Sequence, residues 1–205
     1  MKLYSHQLSG NCHKVRLLLG FLGLGFEEYL IDFAGGEHQS LAFLELNPCG
    51  TIPVLSDGDT VVPDSQAILV YLASRYGDDS WLPEGAEARG MVVRWLSFAA
   101  NEIHHGLNAD RLHAKFGMQL DMPAAVALAE KALRILDDRL ARTGWLVGGD
   151  VTIADLACAP YAALAPEGNV ALDPYPGVRT WLDRIQARHG FTPMPGWTAT
   201  AAATA

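Results

Sequence analysis

Ser9, Asn11 and Cys12 fall within four residues of one another in LSGNCHKV, and each carries a group that could take part in chemistry at sulfur. Ser9-x-x-Cys12 has the spacing of a redox Cys-x-x-Cys pair with the first sulfur replaced by oxygen. A serine hydroxyl or an asparagine amide can donate a hydrogen bond to a thiolate, and a thiol at a helix start can ionise. Plainer roles are open to all three, since Ser and Asn cap helices and a lone Cys fills small apolar spaces. His104, His105 and His113 form a second cluster, but none of their separations is the three or four residues that sets two ligands on one helix face. No metal site is expected.

The pattern around these residues alternates strand and helix signals through the first eighty positions. KLYSH reads as a strand, 11–22 as a helix stopping near Gly23 and Gly25, FEEYLI as a second strand, and 40–46 as a short helix. IPVLSDGDTVVP holds two short runs joined by Asp57-Gly58, a hairpin signal, and a helix follows at 65–75. Beyond Trp81 the strand signals fade. A long helix is expected over about 86–116, a second from Pro123 to about 142, a third from Thr152-x-x-Asp155, a near-capping-box, and a fourth over roughly 178–188. Trp95, Trp145 and Trp181 lie among apolar residues and read as core, whereas the tail TATAAATA is low-complexity and reads as loosely packed.

The chain has 205 residues, half of them apolar, enough to bury a core without disulfides. Three cysteines at no ligand spacing argue against a disulfide framework or structural zinc and fit a reducing cytosol. MKLYSHQLSG lacks the apolar core of a signal peptide, and the apolar run at 17–26 is too short to span a bilayer, so a cytoplasmic protein without membrane insertion is expected. A formal charge of −8 without a basic cluster excludes nucleic acid as the expected partner.

NPCGTIPVLSDGDTVVPDSQAILVYLASRYG, with SGNCHKVRL before it and GDVTIADLA after it, resembles the cytosolic glutathione transferase family, in a bacterial type with Ser and Asn at the thiol site. The resemblance spans nearly the whole chain. Its specific parts are Asn47-Pro48-x-Gly50-x-Ile52-Pro53-Val54, Asp64-Ser65-x-Ala67-Ile68 and the capping motif at Thr152 and Asp155. It implies an α+β chain: a thioredoxin-like glutathione-binding domain over 1–78, a linker over 79–86, and an all-helical domain over 87–205 that shapes the second-substrate pocket. It also implies a homodimer, glutathione as co-substrate and a small, mainly hydrophobic electrophile.

Glutathione carries two carboxylates, an ammonium, two amides and a thiol, so its site must offer partners of both signs along a line. Ser65 is expected to open a helix whose free amides hold the γ-glutamyl carboxylate, with Asp64 pairing the ammonium. Similar sequences carry Glu or Gln at Asp64, which leaves the shorter side chain to reach through a water or a partner subunit. Ile52-Pro53 resembles the family's cis-proline turn, which presents the Ile52 backbone to the cysteinyl part of glutathione. His38 and Gln39 match positions facing the glycine carboxylate.

A free thiol of pKa about 8.5 is only roughly 3% ionised at neutral pH. Lowering that pKa by about two units requires about 2.7 kcal/mol of differential stabilisation. A helix N-terminus contributes about 0.3 to 1 kcal/mol and a hydrogen bond to a charged group about 1.5 to 3, so a donor placed at a helix start is needed. Ser9 fits, with Asn11 as rival or helper. Cys12 matches the inward second position of a Cys-x-x-Cys pair and reads as a buried filler, and Tyr4 reads as core in the first strand. Phe98, Glu102, His105 and Arg111 are candidates to line the electrophile pocket. Two other activities fit the same residues: a glutathione-dependent disulfide reductase using Asn11, and a noncatalytic binding module of the same fold.

Overall fold

In β1 (Lys2–Ser5) Leu3 and Ser5 are fully buried on one face, and the strand pairs on both edges. It runs parallel to β2 (Glu27–Leu30) and antiparallel to β3 (Val54–Asp57), and β3 pairs antiparallel with β4 (Thr60–Pro63), giving the order β2-β1-β3-β4. The hairpin closes as Asp57-Gly58 predicts, with Gly58 at φ +58°. The parallel connection from β1 to β2 is made by α1 (Gly10–Phe21). Arg16 on α1 ties it together, donating to Ser5 Oγ at 2.9 Å and to Glu28 Oε1 at 2.6 Å. A 3-10 turn at Glu37–Gln39 leads into α2 (Leu41–Leu46), and α3 (Ser65–Tyr76) follows the hairpin. This computed structural model describes residues 1–197, and the TATAAATA tail lies outside them.

The rest of the described chain is helical, as expected. The long helix over 86–116 forms, but in three parts: α4 (Ala86–Phe98), a π-helical stretch (Ala99–Asn108) and α5 (Ala109–Phe116). Apolar spacing does not distinguish a π turn from an α turn, and such widened turns often accompany functional sites. Gly106 in this stretch has no room for a side chain, because a Cβ there would lie 2.7 Å from the Ala129 backbone nitrogen of α6 (Met122–Thr143). Pro123 sits in the first turn of α6, capped by Asp121. Helix α7 (Ile153–Ala163) begins at the capping box and has every residue buried. Helix α8 (Pro176–Gln186) starts two residues earlier than expected because Pro176 opens its first turn.

Helix α1 packs against α3 and against α7, which joins the two halves across one apolar core containing Val15, Leu18, Leu156 and Trp95. Two ionisable residues of α1, His13 and Lys14, are carried into that core at 0% exposure. Burial lowers His13 to about 3, so it is neutral, and holds Lys14 down at about 8. Trp95 and Trp181 are core residues as expected, and Trp145 packs partly buried against them. No helix among the described residues is long and apolar enough to cross a membrane.

Candidate functional site

Ser9 is the N-cap of α1: it sits in extended conformation and its Oγ accepts from the Cys12 N–H at 3.3 Å. Capping uses an oxygen lone pair, which leaves the Ser9 O–H able to donate elsewhere. Capping and thiolate donation are therefore compatible in one side chain. Cys12 is fully buried, and burial pushes its thiol above the ordinary range, as a filler requires. Tyr4 packs against Tyr29 and Phe43 at ring separations of 5.5 and 6.1 Å and stands away from the cavities around Ser9.

Gly10, next to Ser9, meets the second half of the chain. A Cβ at Gly10 would lie 2.7 Å from Tyr161 Cε1, so only glycine lets α7 approach this closely. The Tyr161 hydroxyl comes beside the Ser9 hydroxyl and the Asn11 backbone, and burial lifts it to about 12, so it keeps its proton. Sequence reading passed over Tyr161. The signal was available, because after the helix-start Asp155 its hydroxyl is the one hydroxyl in the otherwise apolar run IADLACAPYAALA.

Ile52-Pro53 is cis, as the resemblance implies. The preceding loop is pinned by Asn47, whose Nδ2 donates to the Thr51 carbonyl at 2.7 Å and whose Oδ1 accepts from Cys49 N at 3.1 Å. Gly50 turns this loop at φ +61° and lies against the Gln39 amide. His38 stacks on Phe33 at 4.5 Å, and its buried Nδ1 has no partner. His38 and Gln39 therefore flank the Asn47–Gly50 turn and stand outside the walls of the two cavities beside Ser9.

Ser65 opens α3 as expected, with Asp64 immediately before it. Asp64 is the cap, its Oδ1 accepting from Gln66 N at 2.9 Å and Ala67 N at 3.0 Å. Two of the amides expected to be free are thus occupied, which leaves the Ser65 N–H as the amide of that turn not taken by the cap. Ser65 is buried, and its hydroxyl donates to the Gln66 side chain. Asp64 also has φ +75°, a conformation that costs of order 1–3 kcal/mol in a non-glycine residue and tends to occur at binding sites.

Two cavities meet along Ile52. One, of about 230 Å³, is polar and bounded by Asn11, Ile52, Asp64, Ser65, Gln66 and His104. The other, of about 340 Å³, is mainly apolar and bounded by Ser9, Phe33, Ile52, Arg111, Phe116 and Tyr161, among others. Ser9 and Asn11, separated only by Gly10, thus face different cavities. Of the four helix residues expected in the electrophile pocket, Arg111 alone lines the apolar one. Phe98 and Glu102 instead border a separate surface hollow with Arg94, Ser97 and Asn101, on the face where α4 runs into the π-helical stretch. His104 pairs with Asn108, and the His113 Nδ1–H donates to the Met118 carbonyl at 2.8 Å.

The glutathione S-transferase N-terminal domain model matches residues 3–80, and the C-terminal domain model of the same family matches residues 109–184. Glutathione S-transferase 3 of Zea mays is 35% identical, over 93% of this chain and 91% of its own. A glutathione S-transferase from Pseudomonas fluorescens superposes with a TM-score of 0.88 at 35% identity, covering 94% of this chain and 98% of that one. A glutathione transferase homologue from Drosophila mojavensis, solved with bound glutathione, superposes at 0.82 with 26% identity, over 91% and 87% of the two chains.

Proposed function

Because this chain belongs to the glutathione S-transferase family, we propose that it ionises the glutathione thiol with Ser9 and Asn11 and joins that sulfur to a small, mainly apolar electrophile. The observation that carries this reading is the meeting of the polar and apolar cavities along Ile52, with Asn11 on one side and Ser9 on the other. The γ-glutamyl end belongs in the polar cavity, its carboxylate on Ser65 and its ammonium on the Asp64 carboxylate oxygen not used in capping. The cysteinyl backbone pairs with Ile52 beside Pro53, and the glycine carboxylate reaches His38, with the Gln39 amide nearby. This arrangement leaves the sulfur between the two donors and facing the apolar cavity. The division into 1–78, 79–86 and 87–205, the homodimer and the cytoplasmic location belong to the same reading.

The Ser9 O–H donates to the thiolate and takes no proton from it. Replacing Ser9 with alanine removes a hydrogen bond to a charged group, about 1.5 to 3 kcal/mol, so conjugation of a chloronitrobenzene should fall about 10- to 150-fold with glutathione affinity little changed. Unchanged turnover would remove Ser9 from the mechanism. Ser65→Ala should instead weaken glutathione binding by about fivefold, the equivalent of about 1 kcal/mol, and equal affinity by calorimetry would contradict its role.

A second reading, reduction of disulfides through bound glutathione, is favoured by Asn11 lying in the polar cavity with Ser65. Cys12, buried with a raised pKa, is ill suited to supply a protein thiol for it. Conjugation and glutathione-dependent disulfide reduction assayed side by side on the unmodified protein test the two. Conjugation is expected to dominate, and reductase activity alone would reverse the order.

A further inference from the structure

The apolar cavity contains one charged side chain whose hydrogen bonding is incomplete. Arg111 is 2% exposed on α5. Its Nε donates to Glu167 Oε2 at 2.5 Å and its Nη1 to the Leu8 carbonyl at 3.0 Å, while its buried Nη2 has no partner. A buried donor left unpaired costs about 1–3 kcal/mol, more for a charged group, so such atoms call for an explanation. Anchoring the Leu8 loop to α5 accounts for Nη1 and Nε and leaves Nη2 unexplained.

The nearby charges leave room for an anion. Glu167 is shared between Arg111 and Lys115, whose Nζ lies 2.5 Å from Glu167 Oε1. Asp110, the adjacent carboxylate, is occupied by the Asn169 N–H and side-chain amide at 2.6 Å each. Around the guanidinium, Leu8, Phe33, Leu112, Phe116 and Met118 supply apolar wall, and the Phe116 ring lies 5.8 Å from the guanidinium carbon. An apolar body with one oxygen anion at its end matches these surroundings, because a planar guanidinium binds carboxylate more strongly than a neutral acceptor.

We propose that Arg111 selects electrophiles bearing a carboxylate remote from the reactive carbon, the carboxylate taking the Nη2 donor while the apolar body lies against Phe33 and Phe116. This assignment rests on the transferase reading above and names its substrate class. In the conjugation the glutathione thiolate forms a sulfur–carbon bond as the carbon–halogen bond breaks and halide leaves. The carboxylate is unchanged.

The test pairs molecules that differ in the anion alone. Calorimetry on the unmodified protein compares the unreactive 4-methylbenzoate with p-xylene. Kinetics compare 4-(chloromethyl)benzoate with 4-methylbenzyl chloride, each kcat/KM divided by its uncatalysed rate with glutathione. The carboxylate member is expected to be favoured at least tenfold in both, and Arg111→Gln, checked for folding by circular dichroism, is expected to abolish the preference. Equal binding and equal rate enhancement for the two members overturn the assignment while leaving the transferase reading intact. If neither chloride is conjugated but 4-methylbenzoate still binds at least tenfold tighter than p-xylene, the transferase reading falls and the Arg111 site stands.

Discussion

Asp155→Ala is expected to destabilise the protein by about 3 kcal/mol, measured by urea denaturation at neutral pH. Asp155 is fully buried and accepts from Leu146 N at 3.0 Å, Thr152 N at 2.9 Å, Thr152 Oγ1 at 3.0 Å and Trp181 Nε1 at 2.9 Å. It thereby fastens the start of α7 to the preceding loop and to α8. Alanine strands the buried N–H groups of Leu146, Thr152 and Trp181, at about 1–3 kcal/mol each. Burial lifts the carboxyl to about 6 from its ordinary 3.8 even though the four hydrogen bonds pull it down, so removing the charge returns part of its desolvation cost. Between those pH values the folded chain binds more protons than the unfolded one, and this contribution makes stability fall as pH rises through the window. The stranded donors outweigh the returned desolvation. A variant as stable as the parent would show that the four hydrogen bonds contribute nothing net.

Lys14→Met should act in the opposite direction, stabilising the protein by about 3 kcal/mol below pH 8. Lys14 is fully buried, its Nζ has no hydrogen-bond partner, and it lies 5.6 Å from the centre of the Tyr161 ring. Burial lowers it from 10.5 to about 8, so between those values the unfolded chain binds more protons and stability rises with pH. The penalty is complete below pH 8 and is relieved as pH climbs toward 10.5. The advantage of the methionine variant should therefore shrink over that interval. A variant less stable than the parent at pH 7 would mean that the buried ammonium contributes more than its desolvation costs.

Local chemistry was the readable part of the sequence. Thr152-x-x-Asp155 announced a helix start, Asp57-Gly58 a hairpin, and Ser9 a cap, because each acts over three or four residues through hydrogen bonds to its own backbone. The resemblance supplied the cis Ile52-Pro53 bond, which the dipeptide does not encode by itself. Contacts across the chain were less legible. Nothing local to Gly10 signals that Tyr161 packs on it, and nothing in a helical pattern signals that Arg111 reaches the Leu8 carbonyl 103 residues away. Ser65 opening α3 was legible, whereas the capping role of Asp64, which takes the Gln66 and Ala67 amides, was not, because the same carboxylate also suits the ammonium of the ligand.

The most direct measurement of the central claim is the titration of the glutathione thiol in its complex with this protein, followed by thiolate ultraviolet absorbance across pH. If Ser9 and Asn11 stabilise the thiolate, the bound thiol ionises about two units below the free one, the equivalent of about 2.7 kcal/mol. Ser9→Ala should recover most of that difference. A bound thiol that titrates with the free one would contradict the account.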